Sequence, residues 1–179
     1  MKAERIKASI RTIRDWPKEG INFRDVTTLF EDPAAFRAVL NHISGWATDQ
    51  EFDLVVGIDA RGFILAGVLA YQLHVPLVLV RKKGKLPYST ISEDYTLEYG
   101  TATIETHDSP LIENKRVLIV DDLLATGGTA IAATKLMRRL KAKEVAFTSI
   151  IDLVDLPGKA ALAQENVETF TVVDFTEAE

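Results

Sequence analysis

The 179-residue chain contains no cysteine. That excludes disulfides, thiolate catalysis and cysteine-ligated zinc, and it suits a reducing compartment. Histidine is scarce too. His42, His74 and His107 have no metal-ligand spacing and read as structural or exposed. No apolar run approaches the roughly 20 residues that a membrane helix needs. Positive charge is not in excess, and a formal net charge of -5 argues against general nucleic-acid binding. The chain lacks a GxGxxG string, a Walker-type lysine loop and a nucleophile elbow. Its opening stretch, MKAERIKASIRTIRDW, has no continuous apolar core and is not a secretory signal. Ile6, Ile10 and Ile13 fall instead at helical spacing, which predicts an amphipathic helix broken at Trp16-Pro17. The expected location is cytoplasmic, with no membrane partner.

Hydrophobic residues make up 47% and charged residues 26%, so the length reads as one soluble domain, 1–179, with a real core. Short unbroken apolar runs mark strands covered on both faces. Leu54–Ile58, Leu77–Val80 and Val117–Val120 are such runs, and Thr101–Glu105, Val145–Ile151 and Phe170–Val173 read as further strands. Helical patterns lie between them. One opens at Asp32-Pro33, an N-cap followed by proline at the first helical position. Another carries Ile64, Leu65, Val68 and Leu69, and a third Ala133, Leu136, Met137 and Leu140. A short helix is expected within Asp155–Gln164. Alternating strands and helices predict an α/β fold with a mostly parallel sheet flanked by helices, and ligands at the carboxyl ends of its strands. The segment Gly84–Gly100 has no core period and reads as a long functional loop.

Chemistry collects at three strand ends. After Val120 come Asp121 and Asp122, then the turn Ala125-Thr126-Gly127-Gly128-Thr129 at the start of a helix. Such a turn presents backbone N–H groups and threonine hydroxyls to a phosphate, helped by the helix dipole. Ionised carboxylates only accept hydrogen bonds, so Asp121 and Asp122 suit hydroxyls or a cation. A phosphate beside a diol describes a sugar phosphate. Asp59-Ala60-Arg61-Gly62 and Arg81-Lys82-Lys83-Gly84-Lys85 sit at the other two strand ends, and their cations suit a polyanion.

The stretch Arg116–Thr129 resembles the phosphoribosyl-diphosphate (PRPP) signature of type I phosphoribosyltransferases. Gly20–Asp25, Gly57–Phe63, Arg81–Pro87 and Tyr95–Gly100 narrow the resemblance to the adenine-specific family, over about Ile13 to Leu156. The resemblance implies that fold, with a small N-terminal hood over 1–32, an α/β core over 33–179 and a flexible loop above the active site. It implies transfer of phosphoribose from PRPP to adenine, giving AMP and pyrophosphate, with Mg²⁺ held mainly by substrate and water, and a homodimer. On the matching positions, Ala125, Thr126, Gly127, Gly128 and Thr129 would hold the 5′-phosphate, and Asp121 and Asp122 the ribose. Asp59, Ala60, Arg61, Arg81, Lys82 and Lys85 would hold pyrophosphate, across a cis Asp59–Ala60 peptide. Phe23, Arg24 and Leu123 would bind adenine. Glu98 and Arg61 would be catalytic, Glu98 exchanging a proton with the base. Two alternatives stay open: an enzyme for another base such as xanthine or guanine, and a non-catalytic PRPP-sensing regulator.

Overall fold

A computed structural model describes residues 2–97 and 100–179, with Leu97 as backbone only. The chain opens with α1 (Ala3–Ala8), β1 (Arg11–Ile13), β2 (Phe23–Asp25) and α2 (Thr27–Glu31). Then come α3 (Pro33–Gln50), β3 (Leu54–Ile58), α4 (Gly62–Leu73), β4 (Leu77–Lys82), β5 (Thr90–Leu97) and β6 (Gly100–His107). A 3₁₀ turn (Pro110–Ile112) leads to β7 (Arg116–Val120), β8 (Leu123–Leu124), α5 (Gly128–Arg139), β9 (Glu144–Leu153), α6 (Gly158–Gln164) and β10 (Glu168–Phe175). The main sheet runs β10-β9-β7-β3-β4-β6-β5, with β8 added beside β9. From β10 to β4 the pairing is parallel; β6 and β5 continue it antiparallel.

The apolar runs are buried on both faces because helices cover both. On β3 and β7, Val55, Leu118 and Val120 point toward α3 and α4, into a cluster with Leu40, Ile43, Leu65 and Leu69. Their neighbours Val56, Val117 and Ile119 point the other way, onto Leu136 and Met137 of α5 and Leu162 of α6. Alternation along a strand thus feeds two cores from one continuous run. Asp32 caps α3 as its sequence suggests, accepting from the N–H groups of Ala34 (2.9 Å) and Ala35 (3.2 Å).

Two expectations are corrected. The first helix ends at Ala8, where Ser9 turns back to the carbonyl of Ile6 through both its N–H (3.0 Å) and its hydroxyl (2.6 Å). Ile6 and Ile10 are buried, but Ile13 belongs to β1, which pairs antiparallel with β2 as a separate small sheet. The long loop expected over Gly84–Gly100 is mostly strand. Residues 90–97 pair antiparallel with 100–107, from Thr90 opposite His107 to Leu97 opposite Gly100. This hairpin is half-buried, with Ile91 and Tyr95 against the second core, so no unbroken apolar run marks it. The Asp59–Ala60 peptide is cis, as is Trp16–Pro17.

Candidate active site

The turn after β7 is built by close backbone contacts. Gly127 caps α5 with φ +85°, a conformation that side chains rarely adopt. Below it lies the start of α6: the Gly158 N–H donates to the Ala125 carbonyl at 3.0 Å. A Cβ on Gly158 would stand 2.2 Å from that oxygen. Above the turn lies the hairpin, since a Cβ on Gly128 would meet the Thr96 carbonyl at 3.3 Å. The turn is therefore clamped between α6 and β5, while Thr126 is exposed.

The acidic pair is positioned by β9. Asp121 N–H donates to the Thr148 carbonyl at 3.0 Å, and the Asp122 carbonyl accepts from Ile150 and Ile151, each at 3.1 Å. The side chain of Asp121 turns back to accept from the Asp122 N–H at 2.8 Å. Burial, then the neighbouring Asp122 carboxylate, hold the Asp121 carboxyl well above its ordinary range. Asp122 is buried and faces Arg61, with Nε to Oδ2 at 2.8 Å, though the contact is poorly directed as a hydrogen bond. Gly62 makes this approach possible: a Cβ there would lie 2.6 Å from the Val120 carbonyl. The first turn of α4 can thus press against the end of β7 and bring Arg61 to the acids.

A cavity of about 320 Å³ opens above these groups. It is lined by the PRPP candidates Asp121, Asp122 and 125–129, and by Arg61. Its other end is lined by the three adenine candidates, Phe23, Arg24 and Leu123, together with Ile21, Asn22 and Leu153. The Phe23 ring is braced edge-on by Trp16, centroids 4.4 Å apart. Arg24 sends its guanidinium away from the cavity, donating to Thr12 Oγ1 (2.6 Å) and the Thr176 carbonyl (2.8 Å) and lying over the Phe175 ring. At position 24 the guanidinium is thus engaged elsewhere, and the backbone is left to face the cavity.

The pyrophosphate candidates Asp59, Ala60, Arg81, Lys82 and Lys85 do not line that cavity; they form an adjoining lip at the ends of β3 and β4. Asp59 and Arg81 are paired with each other at 3.0 Å, and Arg81 also donates to the Lys85 carbonyl at 3.1 Å. Glu98 lies outside the described residues. Among the described residues no group of three or more histidines and carboxylates is gathered that could hold a metal.

Two contributors escaped sequence reading. Glu105 is buried on β6 and accepts from the N–H groups of Lys85 (3.1 Å) and Leu86 (3.0 Å), which hold its carboxyl below the usual range. It thereby shapes the basic turn, but one glutamate in a polar strand carries no signal of that. Gly158 supports the 125–129 turn from α6. The signal available was Leu156-Pro157-Gly158, a helix start, but not its distant target.

The phosphoribosyl transferase domain family matches residues 25–174. An adenine phosphoribosyltransferase of Marinobacter nauticus is 49% identical over 173 residues, covering 97% of this chain and 96% of that protein. The crystal structure of adenine phosphoribosyltransferase from Thermoanaerobacter pseudethanolicus superposes with a TM-score of 0.92 at 40% identity, covering 97% of this chain and 100% of that one. The enzyme from Giardia lamblia, solved with 9-deazaadenine, superposes with a TM-score of 0.92 at 34% identity, covering 98% of each chain. Matched nearly end to end by relatives about half identical to it, this chain belongs to the adenine phosphoribosyltransferases, within the phosphoribosyl transferase domain family.

Proposed function

We propose that this chain transfers the 5-phosphoribosyl group of PRPP to adenine, releasing AMP and pyrophosphate, a purine-salvage reaction. One observation carries the reading: a single cavity joins an aromatic and aliphatic end, Phe23 and Leu123, to the acidic pair and the phosphate turn. The base and the sugar phosphate then meet within it. Adenine stacks between Phe23 and Leu123 while the backbone near Arg24 reads its edge. The turn 125–129 holds the 5′-phosphate through N–H groups and hydroxyls, with the dipole of α5 behind it. Asp121 and Asp122 take the ribose hydroxyls.

The bond from the anomeric carbon to the pyrophosphate oxygen breaks, and the bond to N9 of adenine forms. Positive charge develops on the ribose beside the acidic pair, and negative charge on the leaving group beside Arg61, Arg81, Lys82 and Lys85. Arg61 faces Asp122, and Arg81 pairs with Asp59. Substrate offers each cation a more highly charged partner and releases the carboxylates. Glu98 is assigned the proton exchange with N7 of the base. The hairpin beside Gly128 is placed to exclude water from the ribose.

Magnesium would be carried largely by substrate and water, with Asp121 and Asp122 placed to hold it only indirectly, since the described residues gather no group that could bind a metal alone. Bound there it would supply charge neutralisation of the leaving pyrophosphate. Residues 1–32 serve as a hood over the base, and 33–179 as the core. Exposed apolar residues along α4 and β4, Ile64, Tyr71 and Leu77, support a homodimer through that face. A cytoplasmic location accords with a multiply charged substrate that does not cross membranes unaided.

A steady-state assay with adenine, hypoxanthine, guanine and xanthine tests the reading. An acceptor that pairs with the 6-amino group is left unpaired by a 6-oxopurine. Adenine should exceed hypoxanthine by at least about 10³ in kcat/KM, roughly 4 kcal/mol. Comparable turnover of the two would move the assignment to a 6-oxopurine enzyme. PRPP binding without turnover of any base would favour a regulator.

A further inference from the structure

Residues Thr176–Glu179 follow the last strand, and the proposed reaction gives them no task. They lie across the segment that presents Phe23. The Thr176 carbonyl accepts from Arg24 at 2.8 Å, and the Glu177 carbonyl accepts from Asn22 Nδ2 at 2.9 Å. These two donors flank Phe23 on either side in the chain.

The same segment is tied down at both of its own ends. The Glu177 N–H donates to Asp155 Oδ2 at 2.7 Å, just beyond the end of β9, where Leu153 lines the cavity. The Glu179 carboxylate accepts from the Thr176 N–H at 2.9 Å and pairs with Lys7 of α1 at 2.7 Å. Lys7, followed by the Thr176 N–H, brings that carboxyl down to about 2. Beneath lies Phe175, with the cations of Lys7 and Arg24 over its ring at 4.6 and 4.4 Å.

The small sheet β1–β2 has only three residue pairs and is separate from the main sheet. So short a ribbon is marginal alone. Its position over the cavity therefore depends on contacts outside its own ladder; α2 holds β1 through Thr28, and 176–179 hold the β2 segment through Asn22 and Arg24.

We propose that Thr176–Glu179 form a strap that positions the base-reading segment Asn22–Arg24 over the cavity, and so sets adenine affinity without touching the base or PRPP. This rests on the assignment of Phe23 to the adenine site. Asp155 and Glu179 lie outside the cavity and are the side chains that fix the strap, so they can be changed without altering the site.

The test compares the double variant Asp155→Ala/Glu179→Ala, the double variant Asp155→Asn/Glu179→Gln, and Phe23→Ala, by adenine and PRPP saturation kinetics in the full chain. The alanine pair should raise KM for adenine about tenfold, keep KM for PRPP within twofold and change kcat little. The amide pair keeps one acceptor oxygen at each position and should recover part of the loss. A general loosening of the fold would move both KM values together, and that result overturns the strap. So does an unchanged adenine KM, or an amide pair as impaired as the alanine pair. Phe23→Ala separates the two levels of the argument. If it leaves adenine KM unchanged, the base-site assignment fails. If it raises adenine KM while the alanine pair does not, the strap alone fails.

Discussion

A single methyl group at Gly158 should weaken the hold on PRPP while leaving adenine binding alone. Gly158 lies outside the turn proposed to hold the phosphate, so the effect must pass through the Ala125 carbonyl. A Cβ on Gly158 would stand 2.2 Å from that oxygen and 3.0 Å from both Cγ and Cδ1 of Leu124, whereas ordinary contact begins near 3.4 Å. The leucine can rotate, but the carbonyl belongs to the backbone and must retreat by about 1 Å. Overpacking of this kind costs about 1–3 kcal/mol. Losing the 3.0 Å bond from the Gly158 N–H adds a further ~0.5–1.5 kcal/mol. If about a third to a half of the total is expressed in the PRPP complex, KM for PRPP rises about tenfold, at ~1.4 kcal/mol per decade. The remainder appears as stability, a fall of roughly 5–10 °C in Tm for a chain of this size. Gly158→Ala should be assayed by PRPP saturation at fixed adenine, adenine saturation at fixed PRPP, and thermal unfolding. A PRPP KM within twofold of the parent, or a structure of the variant with the Ala125 carbonyl unmoved, would refute the reasoning.

Three further expectations follow from the site. Gly127→Val places a β-branched residue at φ +85°, with its Cβ 3.2 Å from the Gly158 backbone, so PRPP saturation should shift sharply upward; unchanged saturation would mean the phosphate binds elsewhere. Asp121 has a raised folded-state pKa, so the protein loses stability as pH climbs from the ordinary aspartate value, about 4, toward that raised value. Asp121→Asn removes this loss: its Tm advantage without ligand should widen as pH rises above the ordinary aspartate value while PRPP affinity falls, and parallel Tm profiles would count against a raised Asp121 pKa. Glu98→Leu should lower kcat by about 10²–10⁴ with PRPP affinity near normal; full retention of kcat would remove Glu98 from the proton exchange.

The parts of the fold that could be read directly are those where one residue's surroundings decide its type. Leu54–Ile58 and Val117–Val120 are uncharged and buried throughout because helices lie on both sides of them. Asp32 before Pro33 announces a helix start because its side chain acts within three residues. Local reading failed at the hairpin, where residues 90–96 are half-buried or exposed and mostly polar, suited equally to a loop. It failed again at Ile13, whose spacing from Ile6 and Ile10 mimics a helix although its partner is Phe23 on β2. In the candidate site, the acidic pair and glycine turn were legible because they are contiguous. Arg61 against Asp122, Glu105 under Lys85 and Gly158 under Ala125 were not, since each joins segments 20 or more residues apart.

The division between the two sheets has an evolutionary consequence. The acidic pair Asp121–Asp122 and the Asp59–Gly62 turn follow β7 and β3, neighbouring strands registered with Val120 beside Gly57. Their separation is thus set by the inter-strand spacing, about 4.8 Å. That spacing cannot drift without unmaking the core. The segment proposed to face the base rides on a three-pair ribbon outside this sheet. Substitutions there can alter which base is accepted while the sugar-phosphate geometry stays as it was. A lineage can therefore explore new base specificities at little cost to stability, whereas recognition of the phosphoribosyl donor is as hard to change as the fold itself.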